Sequence, residues 1–385
     1  MAAALAASPA YVIRPHLGPL PTTALEIVLL VALVAGYYAF WTELPWRNPY
    51  TWAALLLLTG ASIDTLVTAS TLTKALGIWK AYFVEPMLAG LLIAAMASRR
   101  DQARLLLAGL GLAGAISALL NIANTLRALA THSFDDVTPA VVIYNSANDV
   151  AMYLEPLAAV ALAVAVFSEE RWERLVAAAL YGLFALAIAL SFSRAGWLTL
   201  ACLSIAVCFF HRRRLWVVGA AAGLAALALL ASARVRSRVM VEFDPNSPRN
   251  TLALRRSLWE TSLRMLEHRP LFGGGLNGFQ SAIQPYKTGG YGENLIYPHN
   301  IVLNFWSETG LLGLAGFIWI VVQALRTVIQ GLAAGPWPRA IAIGTLGTIV
   351  AILVHGLVDA PYFKNDLALA FWAILGIQVG SLLRR

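Results

Sequence analysis

Apolar runs of about 20 residues recur from one end of this chain to the other, and 20 is the length an α-helix needs to cross a bilayer core. They fall near residues 24–41, 51–69, 76–97, 103–126, 148–167, 174–191, 195–210, 215–232, 300–325, 339–358 and 365–383. Hydrocarbon offers no partner to an exposed backbone amide, so such runs read as helices. The expected fold is all-α: a polytopic integral membrane bundle of about eleven (10–12) transmembrane helices with one long loop that contains an amphipathic helix. Only 12% of the 385 residues are charged and 59% are hydrophobic, which excludes an ordinary soluble domain and a disordered chain. Cys202 and Cys208 share one apolar stretch, so they read as core residues with no disulfide framework or zinc spacing.

Positive charge orients the spans. With the carboxyl end taken as cytoplasmic, alternate short loops carry Arg47, Arg99, Arg100, Arg104, Arg171, Arg174, Arg212, Arg213, Arg214, Arg326, Arg339, Arg384 and Arg385. The opposite face and the span interiors carry Arg14, Lys74, Lys80, Arg127, Arg194 and Lys364. That asymmetry puts the long loop outside the cytoplasm. The organisation is then an N-terminal transmembrane bundle at 1–232, a loop domain at 233–299 and C-terminal transmembrane helices at 300–385, integrated as one membrane domain. Half of the net charge of +8 lies in the loop, so an anionic partner at the outer face is expected rather than nucleic acid. Met1–Ala10 lacks the basic start and long apolar core of a signal peptide; it reads as a half-buried helix or the remains of a span. Neither internal repeats nor interrupted spans are evident.

Within the loop, Thr251 to His268 reads as a helix stopped by Pro270. At 100° per residue Leu252, Trp259, Leu263 and Leu266 form one apolar stripe, with Arg255 and Arg256 inside or beside it and Arg264 pointing away. That stripe, laid on the membrane domain, would carry Arg255, and with it Arg256, inward; the alternative is that both snorkel to lipid phosphates. The following Leu271-Phe272-Gly273-Gly274-Gly275 marks a tight turn, not a nucleotide loop, since no Gly-Lys-Ser/Thr follows and no strand precedes it. Tyr286, Tyr291 and Tyr297, with Lys287 among them, are candidate sugar-stacking or interface residues.

Polar side chains in apolar spans are costly and point to function. Arg194 follows Ser191-Phe192-Ser193 at a helix start, which favours an anion. His299 opens the next outer-face span, and Asn300, Asn304, Ser307 and Glu308 continue it as a polar stripe. Asn145, Asn148, Asp149 and Glu155 form a second stripe. Asp64, Lys80 and Glu85 read equally as a helix-bridging network or a site, and His355 with Asp359 as a further outer-face pair. Arginines gathered at one face suit a diphosphate, which a guanidinium matches bidentately. No Asp/Glu/His set has metal spacing, so no metal and no cofactor are expected.

Three motifs in order resemble the O-antigen ligase/polymerase family of bacterial membrane glycosyltransferases. They are Ser193-Arg194-Ala195-Gly196; Arg255-x-x-x-Trp259 followed by His268-Arg269-Pro270-Leu271-Phe272-Gly273-x-Gly275; and Pro298-His299-Asn300 leading to Glu308-Thr309-Gly310-Leu311-Leu312-Gly313. Asn145-x-x-Asn148 is a weaker fourth. The resemblance implies transfer of a glycan from undecaprenyl diphosphate to an acceptor, lipid A-core or a second glycan, at the periplasmic face of the inner membrane. It implies that Arg194 and Arg255 (or Arg256) hold the diphosphate and that His299 handles the acceptor hydroxyl. Asn145, Asn148, Asn300, Asn304 and Glu308 complete the expected binding set, with membrane lipids as further partners. Within the family a ligase and a polymerase differ in acceptor, and no residue separates them. An oligosaccharyltransferase is a third relative, and a flippase of a lipid-linked anion a reading of another class.

Overall fold

The computed structural model describes all residues except 16–20, 136–140, 216–218, 220–222, 224–231, 245–246, 248–249, 288–295 and 384–385. The span expected at 215–232, Tyr291, Arg384 and Arg385 therefore lie wholly or largely outside the described residues. Among those described the structure is helical, without strands. Its helices are α1 (Ala2–Ala6), α2 (Ala24–Phe40), α3 (Thr51–Leu66), α4 (Leu72–Ile78), α5 (Glu85–Met96), α6 (Arg100–Ala130), α7 (Ala147–Phe167), α8 (Arg171–Leu190) and α9 (Arg194–Cys208). Then come α10 (Ala233–Met240), α11 (Thr251–His268), α12 (Phe279–Ala282), α13 (Ile301–Ala333), α14 (Pro336–His355) and α15 (Asn365–Leu382).

Eight stretches among the described residues are long and apolar enough to cross a membrane: Ala24–Glu43, Leu72–Met96, Arg100–Ala130, Ala147–Phe167, Arg171–Leu190, Ile301–Ala333, Pro336–His355 and Asn365–Leu382. Two further expected spans correspond to the shorter apolar helices Thr51–Leu66 and Arg194–Cys208.

The chain divides into two compact units. The first comprises Met1–Leu110, Arg255–Gln330 and Gly356–Arg385. In it α5 lies on α15, where Gly376 and Gly380 meet the backbone of Gly90 and Ala94; such small residues let membrane helices approach closely. α3 approaches α13 in the same way through Gly60 and Gly313. A π-helical segment, Trp79–Val84, joins α4 to α5, and its Lys80 reaches Glu26 at 2.6 Å and Glu85 at 3.7 Å. The network expected around Lys80 exists, but Asp64 is not among its ion pairs. The second unit comprises Gly111–Leu254 and Gly331–His355, with α7, α8, α9 and α14 packed on one another. Gly344 and Gly347 of α14 face Val160 and Ala159 of α7.

The expectation of uninterrupted spans fails at α13. Gly310 has φ +63° and ψ −172°, which no helix tolerates. The amide of Leu311 turns to the carbonyl of Leu271 at 3.0 Å, and the carbonyl of Ser307 accepts from Gly274 at 2.8 Å. The glycine-rich segment thus supplies the hydrogen bonds the helix gives up, as irregular backbone in a membrane domain requires. Gly273, at φ +57°, lies so close to α13 that a Cβ would stand 2.6 Å from the carbonyl oxygen of Ser307.

A Cβ on Gly60 would fall 2.8 Å from both the Cα of Gly313 and the carbonyl oxygen of Thr309. Gly60→Leu is therefore expected to cost about 1–3 kcal/mol by overpacking. A thermal melt in detergent checks it, and an unchanged Tm would contradict the α3–α13 approach.

Candidate functional site

Arg194 is set by a tight connection between α8 and α9. Phe192 takes φ +59°, and Ser193 then caps α9 by accepting from the amide of Gly196 at 3.0 Å. The same hydroxyl donates to Oδ1 of Asn148 at 2.7 Å, so Asn148 fixes the turn that carries Arg194. Arg194 pairs through Nη1 with Glu242, and its Nη2 donates to the Thr251 hydroxyl at 2.9 Å. Asn145 stands exposed ahead of α7. His355, expected beside Asp359, instead places Nδ1 at 2.8 Å and 3.0 Å from the two oxygens of Glu155, and both residues are fully buried. A buried carboxylate in hydrocarbon needs such a partner.

In the first unit Asp359 is the organising residue. Its Oδ1 lies 2.8 Å from Nδ1 of His299, and its Oδ2 lies 3.4 Å from Nη2 of Arg255. A neutral imidazole that donates from Nδ1 to this carboxylate would keep its lone pair on Nε2. His299 itself has φ +50°, and its carbonyl accepts from the Trp259 indole at 3.3 Å. Asn300 works as a helix cap: Oδ1 accepts from the amides of Val302 and Leu303, while Nδ2 donates to the carbonyl of Leu357 at 3.1 Å. Ile301 donates to Gly356 at 2.7 Å. The loop with Asp359 is thereby strapped to the helix start with His299. Tyr362 anchors the other end of that loop, donating to the carbonyl of Tyr82 at 2.7 Å, and burial pushes its phenol above the ordinary range.

The face of α11 is turned from the expected one. Leu258, Ser262, Met265 and Leu266 are buried, packing on Phe279, Ala282 and Ile283, whereas Leu252 and Leu263 remain exposed. Arg255 falls on the inward side; Arg256 does not, and its exposed side chain pairs with Glu260. Arg264, expected in solvent, is half-buried and donates to Thr261 at 3.1 Å. Tyr286 packs beside the α11–α12 cluster and against the His268 ring, and Tyr297 against Phe363, so neither is a free stacking platform.

Asn304 and Ser307 are completely buried on α13, and their side-chain polar atoms meet no hydrogen-bond partner among the described residues. Glu308, also buried, acts on the backbone. Its carboxylate accepts from the amides of Asn277 and Phe279 and pins the glycine-rich turn. Asp359 is the residue that sequence reasoning left with the wrong partner, because it lies 60 positions from His299. Glu308→Leu would strand the two amides, at roughly 1–3 kcal/mol each. Chymotrypsin should then cut faster after exposed Phe272 in that turn; an unaltered cleavage rate would remove the anchoring role.

No curated protein matches the chain. The family model described as O-antigen ligase matches residues 177–318, a stretch that holds Arg194, Arg255, His299 and Glu308 but not Asp359. Over that stretch the chain is similar to the O-antigen ligase family, and its eight candidate membrane-crossing helices among the described residues fit a multi-pass membrane protein.

Proposed function

We propose that the protein transfers a glycan from undecaprenyl diphosphate to an acceptor hydroxyl at the periplasmic face of the bacterial inner membrane, without a metal. The observation that carries this reading is the Asp359–His299 contact of 2.8 Å, with Arg255 on the other carboxylate oxygen. Nε2 of His299 takes the proton of the acceptor hydroxyl while that oxygen bonds to the anomeric carbon. The bond from the anomeric carbon to the phosphate oxygen breaks, and the diphosphate leaves with the electron pair. Arg194 and Arg255 offset the charge that develops on it; arginine stays protonated, so it serves as neither acid nor base. Asp359 holds the imidazole tautomer and stabilises its protonated form. Asn148 and Asn300 act by fixing Arg194 and His299 in place, and Arg256 offers a charge at the surface.

The favoured acceptor is the lipid A-core. The same chemistry joins repeat units when the hydroxyl belongs to a second carrier-linked glycan. The purified protein with undecaprenyl-diphosphate glycan and either lipid A-core or a second donor decides between them by which one gains sugar. Arg194→Ala, Arg255→Ala and His299→Ala are each expected to abolish product, with EDTA without effect. Asp359→Asn should lower kcat by about 100-fold or more with donor affinity retained, since it misorients the base. Normal turnover in both His299→Ala and Asp359→Asn would sink the proposed base. Labelled glycan that changes leaflet with its diphosphate intact would make the protein a flippase instead.

A further inference from the structure

Glu242 makes more contacts than the capping of one helix requires. Besides its pairing with Arg194, its Oε1 accepts from the Thr251 hydroxyl at 2.9 Å and the Thr251 amide at 3.3 Å; its Oε2 accepts from the Leu252 amide at 2.9 Å. A guanidinium, a hydroxyl and the first two amides of an 18-residue helix therefore converge on one carboxylate. Such a donor set suits a phosphate oxygen cluster better than a carboxylate, because phosphate brings more acceptor oxygens and more charge.

The segment that carries Glu242 is held without that carboxylate. Asn250 already caps α11, its Oδ1 accepting from Ala253 at 2.9 Å. Its Nδ2 holds the carbonyls of Glu242 at 3.2 Å and Asp244 at 3.0 Å. Residues 242–244 are thus tied down through their main chain, and the Glu242 side chain can swing away without releasing them. The side chains of Arg194 and Glu242 are 17% and 18% exposed, so an anion reaches them from outside.

We infer that Glu242 is an internal stand-in for phosphate: the lipid diphosphate displaces its carboxylate and takes over Arg194, Thr251 and the first amides of α11. This rests on the reading of Arg194 as a diphosphate-binding residue and adds a subsite that the reading lacks. The displaced carboxylate gains water as the phosphate enters, so like charges do not share the cradle.

The test is the affinity of the full-length protein in detergent for farnesyl diphosphate, measured by titration calorimetry. Glu242→Gln removes the competing charge and is expected to lower Kd by about tenfold, the equivalent of about 1.4 kcal/mol. Glu242→Asp keeps the charge on a shorter arm and should lower Kd less, which preserves the test if the glutamine variant does not fold. Arg194→Ala should raise Kd at least tenfold. Should Arg194→Ala lose binding while both Glu242 variants bind no tighter than the native protein, Glu242 merely positions Arg194 and the inference is overturned. If Arg194→Ala binds normally, the underlying reading of Arg194 fails first.

Discussion

Hydrocarbon gives a backbone amide nothing to bond to, and much of this architecture follows from that single deficit. Helix starts near the candidate residues are capped by their own Ser193, Asn250 and Asn300, and the break in α13 draws its partners from a distant segment. Leu271 and Gly274 mend the break at Gly310. Glu308 receives the amides of the turn that does the mending, and Asn300 closes the start of α13 while holding the 356–364 loop. A backbone that already needs outside partners is also one that can present a side chain at an unusual angle. His299, at φ +50°, is the clearest case.

Charge obeys a related rule. A guanidinium among apolar helices is costly until it is paired, and each of the two inward-facing arginines has a carboxylate: Glu242 for Arg194 and Asp359 for Arg255. The two pairs differ in kind. Asp359 is nine-tenths buried and holds a histidine as well as an arginine, so it is fixed from two sides. Glu242 holds helix amides and is more open to solvent, which is what an exchangeable anion would look like.

The sequence makes the helices legible because span length and apolar content leave few alternatives, and the Ser193–Arg194 junction legible because a serine before a helix start has a plain capping role. The break in α13 is hidden: Glu308-Thr309-Gly310-Leu311-Leu312 reads as unbroken helix, and only the distant 271–274 segment explains the positive φ. The face of α11 misleads for another reason. A membrane protein leaves leucines such as Leu252 and Leu263 exposed at no penalty where lipid covers them, so a leucine stripe does not distinguish protein from lipid. His355 lies only four positions before Asp359 and offered a nearer partner, yet Glu155, 200 positions away, is the one it takes.

The interruption in α13 also settles a matter of length. Residues 311–333 alone rise roughly 34 Å at 1.5 Å per residue, enough for a hydrocarbon layer of about 30 Å. The turns ahead of the break are therefore surplus to the crossing. That frees 301–309, with its buried amide and carboxylate, from any duty as a lipid-facing rod. Its tilt can answer to the 271–279 turn and the 356–364 loop rather than to bilayer thickness.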